Sequence, residues 1–113
     1  MKFLTKIEGG IDNIVNEIGS WDDPGEEYEI SINDDWKVMI SPGQKNRSKS
    51  KQTLYVSEMF PHGKKSYLQR LFDDGIDVVE YDNDYDAIYL TLTPKQCKYL
   101  LSMLENDGVN IRN

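Results

Sequence analysis

Ala87-Ile88-Tyr89-Leu90-Thr91-Leu92-Thr93-Pro94-Lys95-Gln96-Cys97-Lys98-Tyr99-Leu100-Leu101-Ser102-Met103-Leu104 changes its period at Thr93, and that change decides the fold. Up to Leu92 the chain alternates, with Ile88, Leu90 and Leu92 on one side and Tyr89 and Thr91 on the other, the pattern of a half-buried strand. Beyond Thr93 the apolar residues recur as Cys97, Leu100, Leu101 and Leu104, a single helical stripe. Thr93 and Gln96 have capping-box spacing, Pro94 suits the first helical position, and Gly108 supplies the stop.

Working outward, Ile76-Asp77-Val78-Val79-Glu80-Tyr81 is β-branched and aromatic, and Asp82-Asn83-Asp84-Tyr85-Asp86 carries turn formers, so residues 76–93 read as a hairpin. Ile11, Ile14, Val15 and Ile18 form a helical stripe closed by Gly19. Tyr28, Ile30 and Ile32 alternate, Asn33-Asp34-Asp35 turns the chain, and Trp36, Val38 and Ile40 return to Pro42-Gly43. Leu54 to Phe60 reads as a further strand. Ser66 and Gln69 again have capping-box spacing, ahead of a short helix with Leu68, Leu71 and Phe72 that Gly75 ends. Residues 2–7 have the pattern of a short edge strand. The expectation is one α+β domain spanning residues 1–113. It has an antiparallel sheet of four to five strands with two or three helices packed on one face, because each element has a single apolar side to bury. Residues 67–78 and 99–111 echo one another. Two helices sharing an Asp-Gly stop account for this more simply than a repeat does.

The 113 residues are enough for one core, and the composition, 38% hydrophobic and 29% charged, is that of a globular protein. No apolar run approaches the roughly 18 residues of a membrane span, and residues 1–6 lack a signal-type apolar stretch. The lone Cys97 cannot form an internal disulfide and fits a reducing compartment, so a cytoplasmic location is expected.

The net charge of −7 is segregated along the chain. Residues 7–36 hold ten acids and neither Lys nor Arg; residues 37–70 hold eight basic residues and Glu58; residues 71–113 hold nine acids and three basic residues. Little in this layout suggests catalysis. His62 is the sole histidine, in Pro-His-Gly, and Cys97 lies on an apolar stripe. One Cys and one His cannot make a structural zinc site. Asp82, Asp84 and Asp86 have the spacing that opens a calcium loop, but Ala87 and Thr93 stand where its glycine and bidentate glutamate belong. Neither glycine-rich phosphate motif is present. No enzyme activity, cofactor or metal is expected.

The charge blocks point instead to binding. Trp21, Asp22, Asp23, Glu26, Glu27, Asp34, Asp35, Trp36, Asp82, Asp84 and Asp86 fall at expected loops and turns. They are expected at one end of the sheet, as an acidic, aromatic-bearing surface for a basic protein partner such as a nuclease or another nucleic-acid-binding protein. The function expected is that of a non-enzymatic inhibitor or nucleic-acid mimic. In size and composition alone, with no shared motif, the chain is similar to anti-CRISPR and other anti-defence proteins and to toxin-immunity proteins. The alternative is a nucleic-acid-binding accessory protein. It would use Lys45, Arg47, Lys49 and Lys51, with Lys64, Lys65 and the rings of Tyr55, Phe60 and Tyr67 nearby. An overall pI near 4.6 weighs against direct nucleic-acid binding. A homodimer is left open.

Overall fold

The alternation around Leu90 does set the side of the sheet on which the core forms. The computed structural model describes residues 7–43, 53–76, 80–84 (backbone only) and 87–111. Their order is α1 (Ile11–Ser20), β1 (Tyr28–Asn33), β2 (Trp36–Pro42), β3 (Leu54–Met59), α2 (Tyr67–Asp73), β4 (Glu80–Asp84), β5 (Ala87–Leu92) and α3 (Pro94–Asn106). The five strands pair antiparallel throughout, in the order β1-β2-β3-β5-β4. After β3 the chain crosses through α2 to the outer position of β4, then folds back as β5 between β4 and β3.

Register aligns Tyr28, Ile40, Val56 and Leu90 in one row and Ile30, Val38, Glu58 and Ile88 in the next. All eight are buried, and Glu58 alone among them is charged. Ile14, Val15 and Ile18 of α1, Leu68 and Leu71 of α2, and Cys97, Leu100, Leu101 and Leu104 of α3 complete one core cluster with these rows. The fold is the α+β domain expected, with three helices over one face of the sheet.

Local chemistry fixes the helix ends. In α3 the Thr93 hydroxyl accepts from the Gln96 amide at 3.2 Å, and the Gln96 side-chain oxygen accepts from the Thr93 amide at 2.8 Å. The likeness between residues 67–78 and 99–111 is a shared stop. Gly75 and Gly108 have φ of 80° and 85°. Ile76 N–H donates to the Leu71 carbonyl at 3.2 Å, and Val109 N–H donates to that of Leu104 at 3.0 Å. Both are Schellman closures, so one stop used twice explains the echo.

Two details depart from expectation. Gly19 lies inside the last turn of α1, buried; the helix ends where Trp21 turns extended. Asp82, Asn83 and Asp84 belong to β4, pairing with Tyr89, Ile88 and Ala87, so the acidic stretch is largely strand. Pairing with Ala87 to Thr91 of β5 outweighs the turn preference of Asn and Asp, and an outer strand accepts charge readily. Residues 2–6 of the strand expected at 2–7, and positions 77–79, lie outside the described residues. At the exit of the β2–β3 pair, Gly43 N–H donates to the Thr53 carbonyl at 2.9 Å, and a Cβ on Gly43 would lie 2.5 Å from that oxygen.

Both ends of α3 should therefore respond to mutation, and urea unfolding measures the effect. Gly108→Ala should destabilise by about 1–2 kcal/mol through the positive φ alone, since nothing lies within 4 Å of its added Cβ. Thr93→Ala should cost about 1 kcal/mol through the lost cap.

Candidate functional site

One buried carboxylate organises the interior. Glu58 occupies a core-facing position of β3 and is 0% exposed. Its oxygens accept from the Trp36 indole N–H on β2, from Tyr67 N–H at 3.0 Å and from Leu68 N–H at 2.9 Å. The last two are the first free amides of α2. Ser66 takes the third, accepting from Gln69 N–H at 3.0 Å, so the helix start is satisfied within the protein. The network continues outward. Tyr67 packs against Trp36 with ring centroids 5.5 Å apart, and its hydroxyl donates to Asp107 at 2.8 Å. Arg70 pairs with the same Asp107 oxygen at 2.8 Å and lies over the Tyr67 ring. Burial pushes the Tyr67 hydroxyl up to about 12, whereas the Tyr67 hydroxyl and then Arg70 hold the Asp107 carboxyl below its usual range. Glu58 is raised by burial, against the pull of its three donors. The sequence signal for it was a glutamate at an apolar position of an alternating strand, Leu54-Tyr55-Val56-Ser57-Glu58.

The expected acidic surface does not form at one end of the sheet. Asp34 and Asp35 cap the β1–β2 hairpin, where Asn33 Oδ1 accepts from Asp35 N–H at 2.9 Å. Asp84 pairs with Ala87 at that same end, while Asp86 lies outside the described residues. Trp21, Asp22, Asp23, Glu26 and Glu27 precede Tyr28 and so stand at the opposite end, separated by the length of β1, roughly 17–20 Å. Antiparallel geometry imposes the split, because a strand's entry and its hairpin tip are at opposite ends. Trp21 packs on the core, and Trp36 is held by Glu58, so neither indole is an open anchor.

The alternative surface also changes. Lys45, Arg47, Lys49 and Lys51 lie outside the described residues. Tyr67 is buried, Phe60 packs on the core, and Lys65 pairs with Asp73 at 2.6 Å, so of the nearby rings only Tyr55 is exposed. His62 is exposed in the turn closed by Lys64 N–H on the Pro61 carbonyl. Cys97 is buried, its thiol pushed up to about 12 by that burial, which opposes the thiolate a nucleophile needs. Among the described residues, no group of three or more His, Cys, Asp or Glu side chains is placed to hold a metal ion. No described helix is long and apolar enough to cross a membrane.

What the sequence reading missed is the second face of the sheet. The positions alternating with the core rows are Glu29, Met39, Ser57 and Tyr89 in one row, Ser41, Tyr55 and Thr91 in the next, and Ser31, Lys37, Met59 and Ala87 in a third toward the hairpin end. The three helices lie on the other side. Tyr55, Met59 and Tyr89 are 42%, 47% and 51% exposed on this open face. A depression of about 290 Å³ lies between Tyr55, Tyr89 and Met39, with Glu27 also lining it. Comparison with protein-family models, curated proteins and solved structures finds no match to this chain. Its function is therefore argued from its own residues.

Stability should carry the mark of Glu58. Its folded-state pKa lies above the ordinary 4.5, so over the window just above that value the folded protein holds a proton that the unfolded chain has lost. The Glu58 contribution to stability is present below that window and is lost as pH rises through it. Asp73 and Asp107 act oppositely, losing their contribution as pH falls below 3.8. Glu58→Gln puts an amide donor against N–H donors and should cost about 1–3 kcal/mol near neutral pH. Urea titrations at successive pH values should show the difference between wild type and variant changing across the window above 4.5.

Proposed function

We propose that this protein is a non-enzymatic binding module that docks its open sheet face onto a basic protein partner and blocks it. The observation that carries the reading is the composition of that face. Exposed Tyr55 and Tyr89 form an apolar centre with Met59 toward the hairpin end, and Glu27 stands on the β1 side, where Glu29 pairs with Lys37 at 3.5 Å. The β4 positions Glu80, Asp82 and Asp84 pair with Thr91, Tyr89 and Ala87 on the other side. Aromatic residues at the centre of a patch with charge at its rim are the arrangement expected of a protein-binding surface. The acidic rim and the net charge of −7 favour a basic partner and speed encounter with it.

An extended basic surface is the footprint of proteins that handle nucleic acid, so the partner is assigned to that class. Covering such a surface with carboxylates excludes phosphate from it, which is inhibition without chemistry. The exposed loop acids Asp22 and Asp23 stand at the Glu27 end of the sheet. Asp34 and Asp35 border its other end. The role is read as cytoplasmic, in keeping with a single cysteine kept as a buried thiol.

The test is capture from a nuclease-treated bacterial lysate by wild type and by a Glu27→Lys, Tyr89→Ala variant. The expected outcome is one basic protein, released by rising salt. Its nucleic-acid activity should fall when wild-type protein is added, and its affinity for the variant should be weaker by roughly tenfold, about 1.4 kcal/mol. Equal capture and equal inhibition by the variant would refute the reading.

A further inference from the structure

The open face has a lowest point, and its lining selects a kind of side chain. Ser57 lies at the centre, between Met39 and Tyr89 along one row, and Tyr55 lies between Ser41 and Thr91 in the next. Short hydroxyl side chains therefore make the floor, and two tyrosines and a methionine make the walls. Since Ser57 pairs with Tyr89 and Tyr55 with Thr91, the two tyrosines are diagonal cross-strand neighbours, about 7–8 Å apart at the backbone. Glu27 brings a carboxylate to one end, and none of the nine lining residues is basic. Asp82 pairs with Tyr89 on the far side. At about 290 Å³ the depression falls at the small end of ligand pockets, roughly 300–1,000 Å³, suited to one side chain more than to a whole cofactor.

Aromatic walls, hydroxyl acceptors and a carboxylate rim suit a flat cation. A lysine ammonium is compact and strongly hydrated, and it gives up water reluctantly to sit against a ring. A guanidinium is planar and weakly hydrated; it stacks on aromatic faces and still presents donors to a carboxylate and to hydroxyls. We infer that the depression between Tyr55 and Tyr89 is a receptor for one arginine side chain of the partner. The inference rests on the open face being the binding surface, and it specifies the residue type that surface reads.

The test is an amide NMR titration of the full chain with three blocked tripeptides, Gly-Xaa-Gly, in which Xaa is arginine, lysine or citrulline, the neutral isostere of arginine. The arginine peptide should give saturable shifts centred on Met39, Ser41, Tyr55, Ser57, Tyr89 and Thr91. The lysine peptide should bind about two- to fivefold more weakly, and the citrulline peptide more weakly again. Tyr89→Ala should reduce arginine binding by a similar factor, whereas Tyr89→Phe, which keeps the ring, and Glu105→Gln on α3 should not. Equal binding of lysine and arginine would overturn the inference. So would shifts spread over Asp22, Asp23, Asp34 and Asp35 without saturation in the depression, or peptide-free, concentration-dependent shifts there, the sign that a second copy covers the face. Capture of a basic protein that depends on the face, with no arginine shifts, would sink the inference and leave the partner reading standing. Arginine shifts without capture would do the reverse.

Discussion

The Glu58 carboxylate is the constraint on which the rest of the structure depends. Desolvating a charge is costly unless donors surround it, and here the donors come from three separate elements. Trp36 reaches it from β2, the backbone of Tyr67 and Leu68 from the start of α2, and Glu58 itself belongs to β3. Satisfying that one side chain fixes where α2 begins and which way it runs over the sheet. Tyr67 and Arg70 on the next turn then meet Asp107 at the end of α3. A polar chain therefore runs from the sheet interior to the helix surface, and the apolar stripes pack in the orientation it sets.

The segregated charge of the sequence is partly neutralised by folding. Lys37 of the basic block lies 3.5 Å from Glu29 of the first acidic block, and Lys65 and Arg70 pair with Asp73 and Asp107 of the second. At exposed positions such pairs contribute little to stability. Their consequence is for the surface, because they place cations and anions of different blocks side by side on β1–β2 and on α2–α3. The linear order of acid, base and acid therefore does not survive as three separate patches.

Legibility in the sequence followed the range of the interaction involved. The α3 cap, its stripe from Cys97 to Leu104 and the alternation of β5 depend on neighbours within a turn or a strand, and all were readable. So was the β1–β2 hairpin. The boundary of β4 was not, because pairing with β5 decides it over the local preference of Asp82-Asn83-Asp84 for a turn. Nor was the separation of Asp22 and Asp23 from Asp34 and Asp35, which are near in sequence but set apart by the run of one strand. The open face escaped notice for a related reason. Met39, Tyr55, Ser57 and Tyr89 are spread over fifty residues and become neighbours only through register. Glu58 was visible as an oddity in its strand, but its partners Tyr67 and Leu68 emerge only when α2 folds back over it.

The narrow neck where Gly43 meets Thr53 has a practical side. Because the backbone bond between them already closes the β2–β3 pair, the ends of whatever chain joins these strands are held together by the sheet itself. The entropy of closing such a connection grows only slowly with its length. A change of length between these two residues should therefore cost little closure entropy, provided position 43 keeps its missing side chain. The junction is a natural port for grafting a tag, a fluorophore or a second binding sequence, at the end of the sheet where Glu27 borders the open face.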